Sequence, residues 1–405
     1  MLEAKSIKAW EILDSRGKWT LKTEIKTDKG FFSASVPSGT SRGAGEAYEI
    51  EPKRAVEVIE RVIAPEMERR KFTDQESIDR FLINLDGTEN KSKLGANSLL
   101  SISLAFFRAG AGERGIPLFR YVSEISGFES KMPRPSFNIL NGGVHGNGNL
   151  SVQEFMVIPT FNSFSVNLRK GIEVYFKLKE ILRKKFDKGA INVGYEGGFA
   201  PPFKKTKEAL KVLMEAVGEE GRVKVGLDAA ASEFFSEGKY SLDGKKLSSK
   251  KLLSFYEEIV GKYPFLFLED PFSENDFSAW QKFCYNSRSY AATERDFLVV
   301  GDDLTVTNPK KMRKAKEKEL CSGVVIKPNQ IGTISETLKA IKLAREYNWK
   351  IIISHRSGDT CDDFIADLSV GVGANYIKSG APSRGERTSK YNRLLEIEKF
   401  YQLND

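Results

Sequence analysis

Short apolar runs, each ending at or beside a charged residue, recur along the C-terminal two thirds of the chain. Each run is followed by a helix-length segment of mixed polarity, and this alternation predicts parallel βα units. One intervening helix is marked at its start by Thr333 and Glu336, which have capping-box spacing. The runs cover residues 223–227, 265–268, 297–300, 324–326, 351–353 and 376–377.

Six consecutive units of this kind favour a closed (β/α)₈ barrel over an open doubly wound sheet, because no glycine-rich phosphate loop follows a first strand. In such barrels the side chains at the carboxyl ends of different strands converge on one site. Any one charged strand-end residue could be a solvated loop charge, whereas six in register predict a shared site. These residues are Asp228, Glu269, Asp302, Lys327, His355 and Lys378.

The N-terminal part of the chain has a different pattern. Strands are predicted over 5–13, 20–27 and 30–36, followed by helical segments, one of them over 93–113. A segment with two prolines, 127–135, resembles a link between domains. The expected division is therefore a first domain over 1–127 and a barrel domain over 133–405.

Composition excludes several classes of protein. The 405 residues are 40% hydrophobic and 29% charged, which is typical of a folded globular protein and excludes a collagen-like or largely disordered chain. Three cysteines without C-x-x-C spacing encode neither a disulfide framework nor a thiolate metal site. No apolar stretch approaches the roughly 18 residues of a membrane span, and no signal-peptide core is present, so a cytoplasmic location is expected.

The net charge of +8 raises the question of a polyanionic partner. The basic runs lie in polar or helical stretches and are not interleaved with aromatic residues, as a single-strand-binding groove would require. Solvated helix faces are the better interpretation, and nucleic acid is not expected as a partner. An anionic small substrate would also suit this charge.

The strand-end residues predict a specific chemistry. Asp228, Glu269 and Asp302 would bring three carboxylates together, and hard oxygen ligands select Mg²⁺ or a similar cation over zinc. A ring of ion pairs with barrel lysines is the alternative. Lys327 or Lys378 could act as a base near neutral pH only if burial and neighbouring cations lower its pKa. The set indicates proton abstraction next to a carboxylate, with the resulting charge held by metal.

Two further groups of residues could take part. His355, Arg356 and Ser357 offer an imidazole, a guanidinium and a hydroxyl in one loop, a cradle for phosphate or carboxylate. Glu154 and Glu196 could act as a carboxylate pair that protonates a leaving hydroxide, or each could be a loop charge.

Beyond these patterns, the sequence resembles enolases over nearly its full length. The motifs that carry the resemblance are EILDSRG (11–17), LDGTENKSKLGAN (85–97), NGG (141–143), QEFM (153–156), EGGFAP (196–201), LEDPF (268–272), GDDLTVTNP (301–309) and SHRSG (354–358). The resemblance implies a small α+β N-terminal domain followed by an atypical (β/α)₈ barrel. It also implies reversible dehydration of 2-phospho-D-glycerate to phosphoenolpyruvate, in glycolysis and gluconeogenesis, by a homodimer with two Mg²⁺ per active site.

The resemblance also implies roles for individual residues. Lys327 matches the base that removes the C2 proton, Glu196 with Glu154 matches the acid that assists departure of the C3 hydroxyl, and Lys378 matches the lysine that stabilises the charged intermediate. Metal ligation is implied for Asp228, Glu269 and Asp302 at the first Mg²⁺ and for Ser41 at the second. Substrate contacts are implied for His145, Gln153, Arg356 and Ser357, and His355 belongs to the catalytic set.

One departure from the family pattern lies beside the implied acid. Tyr195 stands where enolases usually have Asp directly before the residue matching Glu196. Because of this tyrosine, the chain could instead be a paralogue whose reaction is altered or lost. Because of its basic charge, it could instead be a binding protein without enzymatic activity. Retention of both lysines and all three carboxylates favours the active enzyme.

Overall fold

The computed structural model of the chain describes residues 2–39, 43–68, 70–146, 150–291 and 297–404. The N-terminal part combines short strands with helices. Its elements are β1 (Leu2–Glu3), β2 (Ser6–Leu13), β3 (Trp19–Thr27), β4 (Gly30–Ser35), α1 (Pro52–Val58), a π-helical turn (Ile59–Ile63), α2 (Ala64–Met67), β5 (Lys71–Phe72), α3 (Gln75–Asp86), α4 (Ala96–Arg114) and α5 (Leu118–Ser126).

The three longer strands of this part form the antiparallel sheet β2–β3–β4 that the alternating pattern predicts. Its inner face buries Ile7, Ile25 and Ala34, and α4 packs on β3 and β4. The helix ends at Gly115, which has φ +64°, a conformation that glycine adopts without steric cost.

The C-terminal part contains the remaining elements. Its strands are β6 (Arg134–Asn141), β7 (Glu154–Pro159), β8 (Val223–Asp228), β9 (Phe235–Ser236), β10 (Lys239–Leu242), β11 (Lys245–Leu247), β12 (Phe265–Glu269), β13 (Leu298–Gly301), β14 (Gly323–Ile326), β15 (Lys350–Ser354) and β16 (Tyr376–Lys378). Its α-helices are α6 (Phe164–Lys185), α7 (Thr206–Val217), α8 (Ser249–Lys262), α9 (Phe277–Ala291), α10 (Pro309–Glu317), α11 (Pro328–Ile331), α12 (Ile334–Glu346), α13 (Phe364–Gly371) and α14 (Gly385–Asn404). Short 3₁₀ turns cover Gly143–His145, Lys188–Ile191 and Ala231–Phe234.

Eight of these strands close into a barrel in the order β6, β7, β8, β12, β13, β14, β15, β16. The closed barrel predicted from the sequence is therefore confirmed. Strands β8 and β12 to β16 are parallel, as predicted, but β7 runs antiparallel to both of its neighbours. Every residue of β7 is buried, so its apolar sequence carries no alternation and gives no sign of its direction.

Two apolar layers stabilise the barrel. Met156, Val300, Val325 and Ile352 belong to a separate buried cluster contributed by barrel strands, and we place it in the barrel interior. Neighbouring strand residues such as Val324 join the larger core under the helices.

Thr333 caps α12 as predicted, accepting a hydrogen bond from the backbone N–H of Glu336. None of the described helices is both long enough and apolar enough to cross a membrane.

Candidate active site

The carboxyl ends of the parallel barrel strands bring the predicted side chains to one end of the barrel: Asp228 ends β8, Glu269 ends β12, Lys378 ends β16, Lys327 follows β14 and His355 follows β15. Glu154 is the first residue of β7, and because β7 is reversed, its start lies at this same end. The reversal therefore adds a carboxylate that a parallel strand would have placed at the opposite end.

Lys378 lies at the centre of a buried group of carboxylates. Its Nζ donates to both carboxylate oxygens of Glu269, at 2.7 and 2.9 Å, and lies 3.4 Å from Asp228 Oδ2 and 3.4 Å from Glu154 Oε2. Although burial opposes its charge, Glu154 and Glu269 hold the pKa of Lys378 well above its usual value. Burial and the nearby charge of Asp228 raise the pKa of Glu269 well above its usual range. The amine thus partly neutralises an acidic cluster that has no access to bulk water.

Lys327 forms a close ion pair with Asp302, whose other oxygen accepts a hydrogen bond from Gln330 Nε2 at 3.1 Å. Burial and the charges of Arg356 and Lys378 lower the pKa of Lys327, but Asp302 outweighs them, so the net shift is upward. The depressed pKa expected from the sequence is therefore not found. The cause is a neighbour, Asp302, which forms with this lysine one of the ion pairs that the sequence left open as the alternative.

Glu154 and Glu196 meet on the other side of the site, with a histidine between them. His145 Nδ1 lies 3.6 Å from Glu154 Oε1 and 3.5 Å from Glu196 Oε1. Asn138 donates to Glu196 Oε2 at 2.9 Å, and His355 Nε2 lies 3.3 Å from the same oxygen. All of these side chains are buried.

The two glutamates differ in their affinity for a proton. Burial and the charge of Glu196 raise the pKa of Glu154. Burial also opposes ionisation of Glu196, but His355 and His145 outweigh it and hold the pKa of Glu196 well below its usual value. The pair therefore retains a proton more readily on Glu154 than on Glu196, the residue predicted as the acid, so the two carboxyls act as a coupled unit.

The predicted anion cradle lies against the N-terminal part of the chain. Arg356 Nη1 donates to Glu46 Oε2 at 3.0 Å and to Asn329 Oδ1 at 3.2 Å, and Ser357 lines the same cavity. Gln153 also lines the cavity and donates to Asp228 Oδ2 at 3.4 Å. A guanidinium and a hydroxyl are thus held at the cavity wall.

A segment of the N-terminal part crosses the mouth of the barrel beside this cradle. Ser38 and Gly358 exchange backbone hydrogen bonds of 2.8 and 3.0 Å, and Gly39 lines the cavity. Ser41, predicted to contact a second Mg²⁺, lies outside the described residues. Its described neighbour Gly39 shows that the chain enters the site at this point.

Sequence reasoning missed two carboxylates near Asp302. Asp270 Oδ1 and Oδ2 accept the backbone N–H groups of Asp302 at 3.0 Å and of Asp303 at 2.8 Å. Burial and Asp302 raise the pKa of Asp303 to about 7. Asp270 and Asp303 each directly follow an acidic residue that the sequence analysis had identified. These pairs of adjacent acidic residues could have indicated them. Glu46, far away in sequence, gave no such signal.

The donor set fits a divalent cation. Among the described residues that line the cavity, eight carboxylates face two permanently positive side chains, and six of the eight carboxylates are buried. Oxygen donors of Asp270, Asp302 and Asp303 lie within 4.8 Å of one another. The predicted ligands form two groups, with Asp228 and Glu269 around Lys378 and Asp302 paired with Lys327. A cluster built from carboxylates suits Mg²⁺ better than a soft metal.

Comparison with known families agrees with both parts of this structure. The family model described as "Enolase, N-terminal domain" matches residues 4–122, and the one described as "Enolase, C-terminal TIM barrel domain" matches residues 129–403. Together they account for nearly the whole chain, and the second alone covers more than half of it. The chain belongs to the enolase family.

Proposed function

We propose that the chain catalyses the reversible dehydration of 2-phospho-D-glycerate to phosphoenolpyruvate and water. The observation that carries this proposal is that Lys327 and the pair Glu154 and Glu196 line a single cavity. Removal of a carbon-bound proton and departure of a hydroxyl from the next carbon require a base and an acid that reach one small substrate from different directions.

The proposed reaction balances as follows. Lys327 Nζ, in its neutral form, takes the proton from C2, and the electrons of that C–H bond move onto the substrate carboxylate to give a charged intermediate. Those electrons then form the C2=C3 double bond as the C3–O bond breaks. The hydroxyl leaves as water with a proton supplied by Glu196 together with Glu154. Lys378 stabilises the negative charge that develops on the substrate carboxylate, since its ammonium stays charged in this cluster.

The carboxylates of Asp228, Glu269 and Asp302 would hold one Mg²⁺, and Ser41 would contribute to a second. When bound, the metal supplies Lewis-acid stabilisation of charge on the substrate carboxylate. Arg356 and Ser357 would bind the phosphate, because a guanidinium offers paired donors to phosphate oxygens. His145, Gln153 and His355 would orient the remaining polar groups of the substrate around Glu154 and Glu196.

The wider setting belongs to the same proposal. We place a capping domain at 1–127 and the catalytic barrel at 133–405, in a homodimer in the cytoplasm that serves glycolysis and gluconeogenesis. The supporting observations are the enolase family matches and the resemblance of the sequence motifs.

The direct test is ultraviolet detection of phosphoenolpyruvate formed from 2-phosphoglycerate, with Mg²⁺ and then with excess EDTA. Metal-dependent turnover is expected, and Lys327→Ala serves as the inactive control. A folded, Mg²⁺-binding chain without turnover would contradict the proposal and favour a changed substrate. Nucleic-acid binding with a steep salt dependence, together with absent turnover, would favour a binding role instead.

A further inference from the structure

A fully buried arginine in the last helix contacts the active-site loops without lining the cavity. Arg387, in α14, has no exposed surface. Its Nη1 donates to the backbone carbonyl of Arg356 at 2.7 Å, and its Nη2 donates to the carbonyls of Ser357 at 2.6 Å and Tyr195 at 3.0 Å. One guanidinium thus joins the loop of the anion cradle to the loop of Glu196.

The same guanidinium determines the protonation state of a histidine. Arg387 Nη1 lies 2.6 Å from His355 Nδ1. A guanidinium can only donate hydrogen bonds, so Nδ1 must be the acceptor and the proton of the neutral ring must be on Nε2. That Nε2 lies 3.3 Å from Glu196 Oε2.

The position of this proton makes the surroundings of the two carboxylate oxygens of Glu196 different. Oε2 accepts a hydrogen bond from Asn138 Nδ2 at 2.9 Å and also faces the Nε2–H of His355 at 3.3 Å. Oε1 faces His145 Nδ1 at 3.5 Å, beside Glu154. A proton on Glu196 is therefore favoured on Oε1, the oxygen turned towards its partner carboxyl.

We propose that Arg387 is a positioning residue of the active site, which holds His355 as the neutral tautomer with its proton on Nε2 and so assigns proton transfer by Glu196 to Oε1. The effect on turnover rests on the proposed function, whereas the tautomer does not depend on any reaction.

The electrostatic environment of the ring agrees with this geometry. The charged groups facing His355 are Glu196, Arg387 and Asp359, the last of which lies 3.7 Å from Arg387 Nη1. Burial and the Arg387 charge outweigh the two carboxylates and lower the pKa of His355 to about 4. An imidazolium would also point its Nδ1–H at the Arg387 guanidinium, which offers donors and no acceptor.

The first test uses the unaltered protein, because the chain has only two histidines. ¹⁵N-histidine labelling and two-dimensional NMR would resolve both rings, with a His145→Gln variant used only for assignment. The expected result is a neutral Nε2–H tautomer of His355 throughout pH 5.5–8. An Nδ1–H tautomer or an imidazolium at pH 7 would overturn the proposal.

The second test removes the guanidinium. In Arg387→Met, we expect His355 to lose its fixed Nε2–H tautomer and to gain protons at a pH at least one unit higher. We also expect kcat to fall by about tenfold or more, with KM changed much less. Arg393→Met is the matched control, because Arg393 lies in the same helix and pairs with Asp367 away from the cavity. A folded Arg387→Met variant with an unchanged tautomer and the kcat of the control would contradict the inference.

Failure of the proposed function would look different. If 2-phosphoglycerate is not turned over but the His355 tautomer is Nε2–H and changes in Arg387→Met, the positioning role stands and the assigned reaction falls. If turnover is normal and the tautomer is Nδ1–H, the reaction stands and this inference falls.

Discussion

The two halves of the active site neutralise buried carboxylates by different means. In the lysine half, Asp228, Glu269 and Asp302 are paired with Lys378 and Lys327. In the histidine half, Glu154 and Glu196 are approached by His145 and His355. Lys378 stays charged in its half because the neighbouring carboxylates raise its pKa, whereas the two glutamates of the histidine half form a coupled pair that can share a proton.

In the proposed reaction, removal of the C2 proton and loss of the C3 hydroxyl therefore depend on different groups of residues. In that reaction, the lysine half would supply the base for the C2 proton and a fixed charge for the substrate carboxylate, and the histidine half would supply a proton for the leaving hydroxyl. Mutations should therefore separate removal of the C2 proton from loss of the C3 hydroxyl.

The largest effect is expected from the base in the lysine half. Lys327→Ala should reduce turnover by up to about 10⁴-fold, the upper range for loss of a general base. Exchange of the C2 proton with solvent should be lost as well, because no other group is assigned to remove it. Retained exchange in a folded variant would show that another residue is the base.

Removing the other lysine should also lower the stability of the fold. Lys378→Met leaves Glu154, Glu269 and Asp228 buried without their cation, which should lower the free energy of unfolding by about 3–5 kcal/mol. Lys339→Met is the control, since the ion pair of Lys339 with Glu76 is largely exposed and worth about 0–1 kcal/mol. Urea denaturation without added metal measures the free energy of unfolding of both variants. Equal losses in the two variants would show that Lys378 does not stabilise the buried carboxylates.

The histidine half should make stability depend on pH. The pKa of His355 is about 4 in the folded chain and about 6.5 when unfolded, so the unfolded state binds more protons between these values. Stability from the neutral ring is complete above about pH 6.5, and about 3 kcal/mol of it should be lost as the pH falls to 4. The difference between unaltered chain and His355→Gln in denaturation at several pH values isolates this contribution. A difference independent of pH would contradict a neutral buried ring.

The smallest effect is expected at Tyr195. Its side chain is 42% exposed, and Arg387 contacts only its backbone carbonyl. Tyr195→Asp should therefore leave kcat and KM within about threefold or raise activity. A large loss would mean that the ring takes part in binding the substrate.

Much of the lysine half could be predicted from the sequence because it follows from strand periodicity. A buried parallel strand is a short apolar run, and the residue that ends it lies at the active end of the barrel, as Asp228 and Lys378 show. Ion pairing of these carboxylates with the barrel lysines was left open as an alternative, but the specific partner of Lys327 could not be predicted, since it depends on how side chains of neighbouring strands turn towards each other.

The histidine half depended more on the resemblance than on pattern. Glu154 lies at the start of a reversed strand, and no alternation in that strand shows its direction. Arg387 lies in a helix rich in charged residues, where the sequence resembles a solvated face, although the side chain is fully buried. Long-range docking of the last helix against two loops brings it to the site, and such contacts leave no local signal.

Exchange of the C2 proton of 2-phosphoglycerate in deuterated water, followed by NMR with Mg²⁺ present, tests the separation of the two halves most directly. The account predicts that Glu196→Gln loses turnover by about 10²-fold or more but still exchanges the C2 proton, while Lys327→Ala does neither. Loss of exchange in a folded Glu196→Gln variant, or its retention in Lys327→Ala, would contradict the assignment of the two steps to the two halves.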